Sequence, residues 1–295
     1  MRKTLWFLAI FTSIGLMSEL ASAATISYDN IYVFGDSYCD VGNIFLATAG
    51  AEPPFPYYNG RFSNGPIWIE RVAGSLGLPM KPSLAGGTDY AFGGAFATAP
   101  QSIPGGTIPS VPQQVELYLS QHGGKADPKA LYILEGGGND ILDATGGSPE
   151  ALGFQIALAL AESELLLRRA GAKHFVIPNL FDVGLLPAGQ ANADFDHRAV
   201  VAANQWLNDL LGFEQFLEGI HILRLDVFSL INSVKADPTH FGFTDITTPC
   251  LTTTVCSDPD HTLFWDTHHP TVFGHDFFAV NLEVVLAQQK QRPRD

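Results

Sequence analysis

Five short apolar runs recur along the chain, and they constrain its fold more than any other feature. They are IYVF (31–34), YAF (90–92), LYIL (131–134), FVI (175–177) and ILRL (222–225). None shows a strict apolar–polar alternation, so each reads as a strand buried on both faces. Helical patterns lie between them. "SNGPIWIERVAGSLG" sets Asn64 ahead of Pro66 and a stop at Gly77, and "SPEALGFQIALALAESELLLRRAG" offers Ser148 as cap, Pro149 for the first turn and Gly171 as stop. Such alternation predicts an α/β fold with a central parallel sheet covered by helices on both faces. Stretches 99–112 and 236–263 read as loops rather than linkers, because the pattern resumes after each without a change of composition. One domain over 24–295 is expected.

The first residues read as an address. Arg2 and Lys3 precede an apolar run at 5–17, and "ASA" at 21–23 offers small residues for cleavage. This is the three-part pattern of a secretory signal peptide over 1–23, and the run is too short to span a bilayer. Export of a soluble product, to a periplasm or the outside, is expected. The chain carries 16 basic and 30 acidic residues, a formal charge of −14. That balance argues against nucleic acid and against electrostatic docking on anionic membranes, while leaving transient contact with lipid through apolar surface open. Three cysteines do not make a disulfide framework. Cys250 and Cys256 stand close enough to pair in an exported chain, leaving Cys39 as a free thiol.

In an open parallel sheet, ligands gather at the carboxyl ends of the strands. Three of those ends are polar and rich in glycine: Gly35-Asp36-Ser37, Gly93-Gly94 and "EGGGND" (135–140). Ser37 invites the question of a nucleophile, although Gly-Asp-Ser is also a common turn. A serine nucleophile needs a base and an orienting carboxylate. "HTLFWDTHHPTVFGH" (261–275) supplies candidates: His269 before Pro270, Asp266 three residues upstream, and His268 as a rival base. Pro270 suits the first position of a final helix whose apolar stripe runs through Phe273, Phe277 and Val280.

Competing chemistries fit less well. No HExxH or paired Cys-x-x-Cys spacing supports a metal site, and neither G-x-G-x-x-G nor P-loop spacing occurs, so no cofactor is expected. "AGSLG" (73–77) loosely matches a nucleophile elbow, but it closes a helix instead of following a strand. Asp140 and Asp143 would serve a glycosidase as a carboxylate pair, yet their spacing better suits a helix start.

Taken together, these stretches resemble the SGNH, or GDSL, hydrolases, in the family's order and over nearly all the chain beyond the signal. "FGDSYCDVGN" (34–43) is similar to the first block, with Tyr38 where leucine is usual. "GRFSNGPIWIE" (60–70) resembles a stretch that follows in longer members. "TDYAFGGA" (88–95) is similar to the second block, with Asp89 where asparagine is common. "GGND" (137–140) and "DTHH" (266–269) match the last two. The resemblance implies a flavodoxin-like three-layer α/β/α sandwich and a Ser37–His269–Asp266 triad, and its Asp-x-x-His block selects His269 over His268. It implies an oxyanion hole of the Ser37 and Gly93 N–H groups with the Asn139 amide, Gly94 being the alternative to Gly93. Asp36 and Asp40 are expected to organise the turn.

The resemblance also implies acyl esters as substrates. Exported bacterial members are often lysophospholipases, phospholipases A or acyltransferases, and aromatic residues at 53–58, Phe96 and Phe181 suit a lipid-binding mouth. A carbohydrate acetylesterase is the rival within the fold. A secreted binding protein is the rival outside catalysis.

Overall fold

The computed structural model describes residues 27–103, 106–212 and 219–289. The signal expected at 1–23 lies outside them. Among the described residues the strands are β1 (Ile31–Phe34), β2 (Gln101–Ile103), β3 (Gly106–Ile108), β4 (Leu131–Leu134), β5 (His174–Val176) and β6 (His221–Leu223). The helices are α1 (Asn43–Ala47), α2 (Trp68–Ser75), α3 (Val111–Gln121), α4 (Gly138–Leu142), α5 (Pro149–Ala170), α6 (Ala193–Gly212), α7 (Val227–Ala236) and α8 (Val272–Gln289).

Strands β1, β4, β5 and β6 form one sheet in that order, and every pairing is parallel. Successive side chains leave a strand on opposite faces, and both faces are apolar here. Tyr32, Phe34, Tyr132, Leu134 and Phe175 share a core with residues of α3, α5 and α6. Ile31, Val33, Leu131, Ile133 and Val176 share another with residues of α2, α7 and α8. The result is a three-layer α/β/α sandwich. Its short unalternating strands are what that architecture demands.

Several expectations need correction. Residues 90–92 form no ladder strand; the segment runs beside the outer edge of β1, with Tyr90 N–H donating to Val33 O at 2.7 Å and Phe92 N–H to Gly35 O at 3.1 Å. Just before it, Asp89 makes isolated bridges to Val33 and to Pro82, and after it the glycines turn the chain away. Strands β5 and β6 start one residue early, at His174 and His221, whose rings stack 5.1 Å apart. Part of the presumed loop 99–112 is the antiparallel hairpin β2–β3.

Helix α5 starts and stops where its caps predict: Ser148 Oγ accepts from Ala151 N–H, and Gly171 adopts φ 119°, which suits glycine. Asn64 does not cap α2. Glu70 accepts the Ile67 N–H there, at 2.9 Å, while Asn64 Oδ1 accepts from Val272 N–H at 2.7 Å, across 208 residues, at the start of α8. On α8 the buried face runs through Phe278, Ala279, Leu282 and Leu286, whereas Val280 is 56% exposed.

Candidate active site

Beyond β1 the chain turns sharply, and the turn is pinned from three sides. Gln114 of α3 clasps the Gly35 peptide, accepting its N–H at 2.8 Å and donating to its carbonyl at 2.9 Å. Asp36 Oδ1 accepts from Tyr38 N–H at 3.0 Å, and the Asp36 carbonyl accepts from Cys39 and Asp40 N–H. A Cβ at Gly35 would stand 2.8 Å from Glu135 Oε2 and 3.2 Å from the Glu135 carbonyl oxygen, so glycine suits this close approach. Ser37 is thereby held at the sheet's edge, 6% exposed.

The other half of the site comes from the segment before α8. Phe264 pairs with Pro270, and Trp265 N–H donates to His269 O at 2.7 Å, closing a tight loop. Inside that loop Asp266 Oδ1 accepts from the N–H groups of His268 and His269, each at 2.7 Å. These two bonds are what makes the Asp-x-x-His spacing work: they swing the carboxylate onto the His269 ring. His269 Nδ1 lies 2.7 Å from Asp266 Oδ2, and His269 Nε2 lies 2.8 Å from Ser37 Oγ. His268 instead sets its Nδ1 2.9 Å from Thr267 Oγ1, away from Ser37. Tyr38, which stands where leucine is usual, donates its hydroxyl to the His268 carbonyl at 2.8 Å and so ties the two loops together.

The electrostatics suit this order. Burial alone would raise the Asp266 carboxyl, but the His269 charge and the hydrogen bonds from His269 and Tyr57 bring it well below the usual carboxylate range. A permanently ionised carboxylate is what an imidazolium partner requires. Burial lowers the His268 ring, with the neighbouring His269 adding to the effect.

Gly93 does not fit the role expected for it. Its N–H donates to the buried Asp40 carboxylate at 2.8 Å, and a charged acceptor at that distance already uses the donor. Asp40 also gathers the N–H groups of Gly42, Asn43 and Ile44, so it does organise its turn. Gly94, at φ 79°, faces the cavity beside Ser37 and Asn139. Among the described residues the N–H groups of Ser37 and Gly94 have no hydrogen-bond partner. Asn139 opens α4 and donates its amide to Ala95 O at 3.0 Å and, more weakly, to Asp36 Oδ2 at 3.2 Å.

Two neighbours escaped the sequence reading. Glu135 directly follows β4, beside the nucleophile turn, with Oε2 3.4 Å from Asp36 N and 3.7 Å from Cys39 Sγ. Burial, reinforced by the Asp36 charge, holds its carboxyl well above the usual range, and burial brings Asp36 to about 6. The second is Tyr57, whose hydroxyl donates to Asp266 Oδ2 at 2.5 Å. Its position in the aromatic stretch 53–58 was the available signal. Asp140, set aside as a glycosidase acid, accepts from Ala97 N–H and Thr98 N–H, bracing the turn before β2.

A cavity of about 280 Å³ opens from Ser37, His269 and Asn139. Its walls are mainly apolar and include Leu180, Phe181, Leu225, Val227 and Phe278. Phe181 packs on Tyr38 with ring centres 5.3 Å apart; Phe96 is not part of the wall, and Phe55 stands 95% exposed. Cys250 and Cys256 are joined by a disulfide, and Cys39 is a buried free thiol. No cluster of three metal-ligating side chains occurs among the described residues, and no helix among them is long and apolar enough to cross a membrane.

The chain is similar to a described family and to several known proteins. The family model described as GDSL-like Lipase/Acylhydrolase matches residues 31–282. A GDSL esterase/lipase of Arabidopsis thaliana is 29% identical, over 86% of this chain and 85% of its own. The thermolabile hemolysin of Vibrio parahaemolyticus is 28% identical over 85% of this chain and 62% of its own. The phosphatidylcholine-sterol acyltransferase of Aeromonas hydrophila is also 28% identical, over 83% and 72% respectively.

Proposed function

The chain belongs to the family of GDSL-like lipases and acylhydrolases, and from that membership we propose that it is an exported lysophospholipase or phospholipase A acting through Ser37, His269 and Asp266. The observation that carries this reading is the 2.8 Å contact between Ser37 Oγ and His269 Nε2 at the wall of an apolar cavity.

Ser37 Oγ attacks the ester carbonyl carbon as its proton passes to His269 Nε2, and Asp266 stabilises the imidazolium through Nδ1–H. The negative oxygen that forms accepts from the Ser37 and Gly94 N–H groups. Asn139 joins them by giving up its longer bond, the one to Asp36. One such donor is worth roughly a hundred- to a thousandfold in turnover. The ester C–O bond then breaks, and His269 passes its proton to the departing alcohol oxygen. Water, activated by the same ring, attacks the acyl-serine and releases the acid. A second alcohol in place of water gives acyl transfer. Apart from water or the accepting alcohol, these steps use protein groups alone.

The apolar cavity supports a fatty acyl chain. An acetyl group would fill little of it, which disfavours the carbohydrate acetylesterase alternative. Hemolysin and acyltransferase names among the relatives support a lipid substrate too.

Ser37→Ala should abolish both ester hydrolysis and covalent labelling by a fluorophosphonate. His269→Ala should lower kcat by roughly 10⁴- to 10⁶-fold, and His268→Ala far less. Equal losses in folded His268 and His269 variants would overturn the choice of base. Release of fatty acid from lysophosphatidylcholine, measured beside acetate release from acetylated sugars, decides the substrate. N-terminal sequencing of exported protein should start at Ala24.

A further inference from the structure

The segment 57–65 packs against the acid and base of the site. Tyr57 donates to Asp266 Oδ2, the same oxygen that accepts from His269 Nδ1. Its ring lies edge-on to Trp265 and to Phe62, and Phe62 in turn lies against the His269 ring with centres 5.1 Å apart. Further along, Ser63 Oγ donates to Pro270 O at 2.9 Å, and Asn64 Oδ1 accepts from Val272 N–H. Gly65 lets Val272 approach to where a Cβ would stand 2.7 Å from it.

The segment is itself stiff. Tyr58 N–H donates to Ser63 O at 2.8 Å, Arg61 N–H to Tyr58 O at 2.8 Å, and Arg61 is paired with Glu70 at 2.6 Å. Tyr57 is therefore presented to Asp266 by a braced turn. Tyr57 is not among the residues walling the cavity.

We propose that Tyr57 is a positioning residue for the Asp266–His269 pair, a role that rests on the triad reading above. Two backbone N–H groups fix the Oδ1 end of the carboxylate; the Tyr57 hydroxyl fixes the Oδ2 end and sets the angle at which it meets Nδ1–H. The same bond withdraws charge from the carboxylate. Without it, Asp266 holds the protonated ring more tightly, and proton transfer from Ser37 starts from a looser geometry.

The test is Tyr57→Phe, which keeps the ring and its packing. Active sites are counted by fluorophosphonate labelling at Ser37, so rates refer to folded enzyme. With a soluble short-chain ester, kcat should fall about ten- to a hundredfold, the range for losing a hydrogen bond to a charged group. KM should stay within about twofold, since direct substrate contacts are unchanged. The acid limb of the kcat/KM profile should move to higher pH. Wild type that is not labelled at Ser37 overturns the triad reading and this inference with it. Labelled wild type, beside a Tyr57→Phe variant with unchanged kcat and acid limb, overturns the inference alone.

Discussion

Glu135 is a half-buried acid at the cavity wall, and the proposed reaction does not consume it. Burial, and then the nearby Asp36 charge, raise its carboxyl well above the usual value. The sign of the pH effect follows. The native state holds the Glu135 proton after the unfolded chain, at about 4.3, has lost it. The stability it contributes is complete below that value and is lost as pH rises towards the raised native one. Glu135→Gln stays neutral throughout. Its thermal midpoint, set against that of wild type, should therefore improve as pH rises above about 4.3; a difference that does not change with pH would overturn this. Sequence could not reveal this residue, because its burial comes from β4 lying beside the Gly35 turn. The same limit explains Gly93: two adjacent glycines look alike until Asp40 is seen to occupy the first one's N–H. The convergence of Ser37, Asp266 and His269 was legible because each sits in a short motif whose local hydrogen bonds dictate its spacing.

At the scale of elements, local chemistry was legible and distant partners were not. Ser148 and Gly171 bound α5 because caps act within a turn of themselves. Asn64 carries an equally plain cap signal, yet it serves α8, since a side chain can cap any helix brought to it. The hairpin β2–β3 stayed hidden because its strands are only three residues long among prolines and glycines. The disulfide element carries a prediction. Cys250 N–H donates to Phe264 O and Leu251 N–H to Trp265 O, so the bridged hairpin is bonded to the two residues before Asp266. A ring of this size removes about 2–2.5 kcal/mol of chain entropy from the unfolded state. Cys250→Ser with Cys256→Ser should lower the unfolding free energy by no more than that, and should reduce kcat proportionally more as temperature rises. Unchanged activity up to the unfolding transition would show that the hairpin leaves Asp266 undisturbed. Peptide mapping without reductant should recover the Cys250–Cys256 pair and an alkylatable Cys39 once the protein is unfolded.

Across the whole molecule, the formal charge of −14 sets the conditions of use. Like charges repel over a Debye length of about 10 Å at 0.1 M salt, so added salt should raise the thermal midpoint, and a fall would contradict that view. The same field should favour zwitterionic over anionic lipid at low ionic strength, with the gap in hydrolysis rate narrowing as salt is added. A gap that salt does not alter would assign the preference to the cavity. One feature of the proposed site bears on how such an enzyme is made. Ser37 and His269 are 232 residues apart, so a growing chain acquires its nucleophile early and its base late. A ribosome that stalls anywhere before residue 269 releases a serine with no partner to activate it. On that proposal, the cell that makes this protein is spared a working esterase until synthesis has passed that histidine and the sheet has brought the two together.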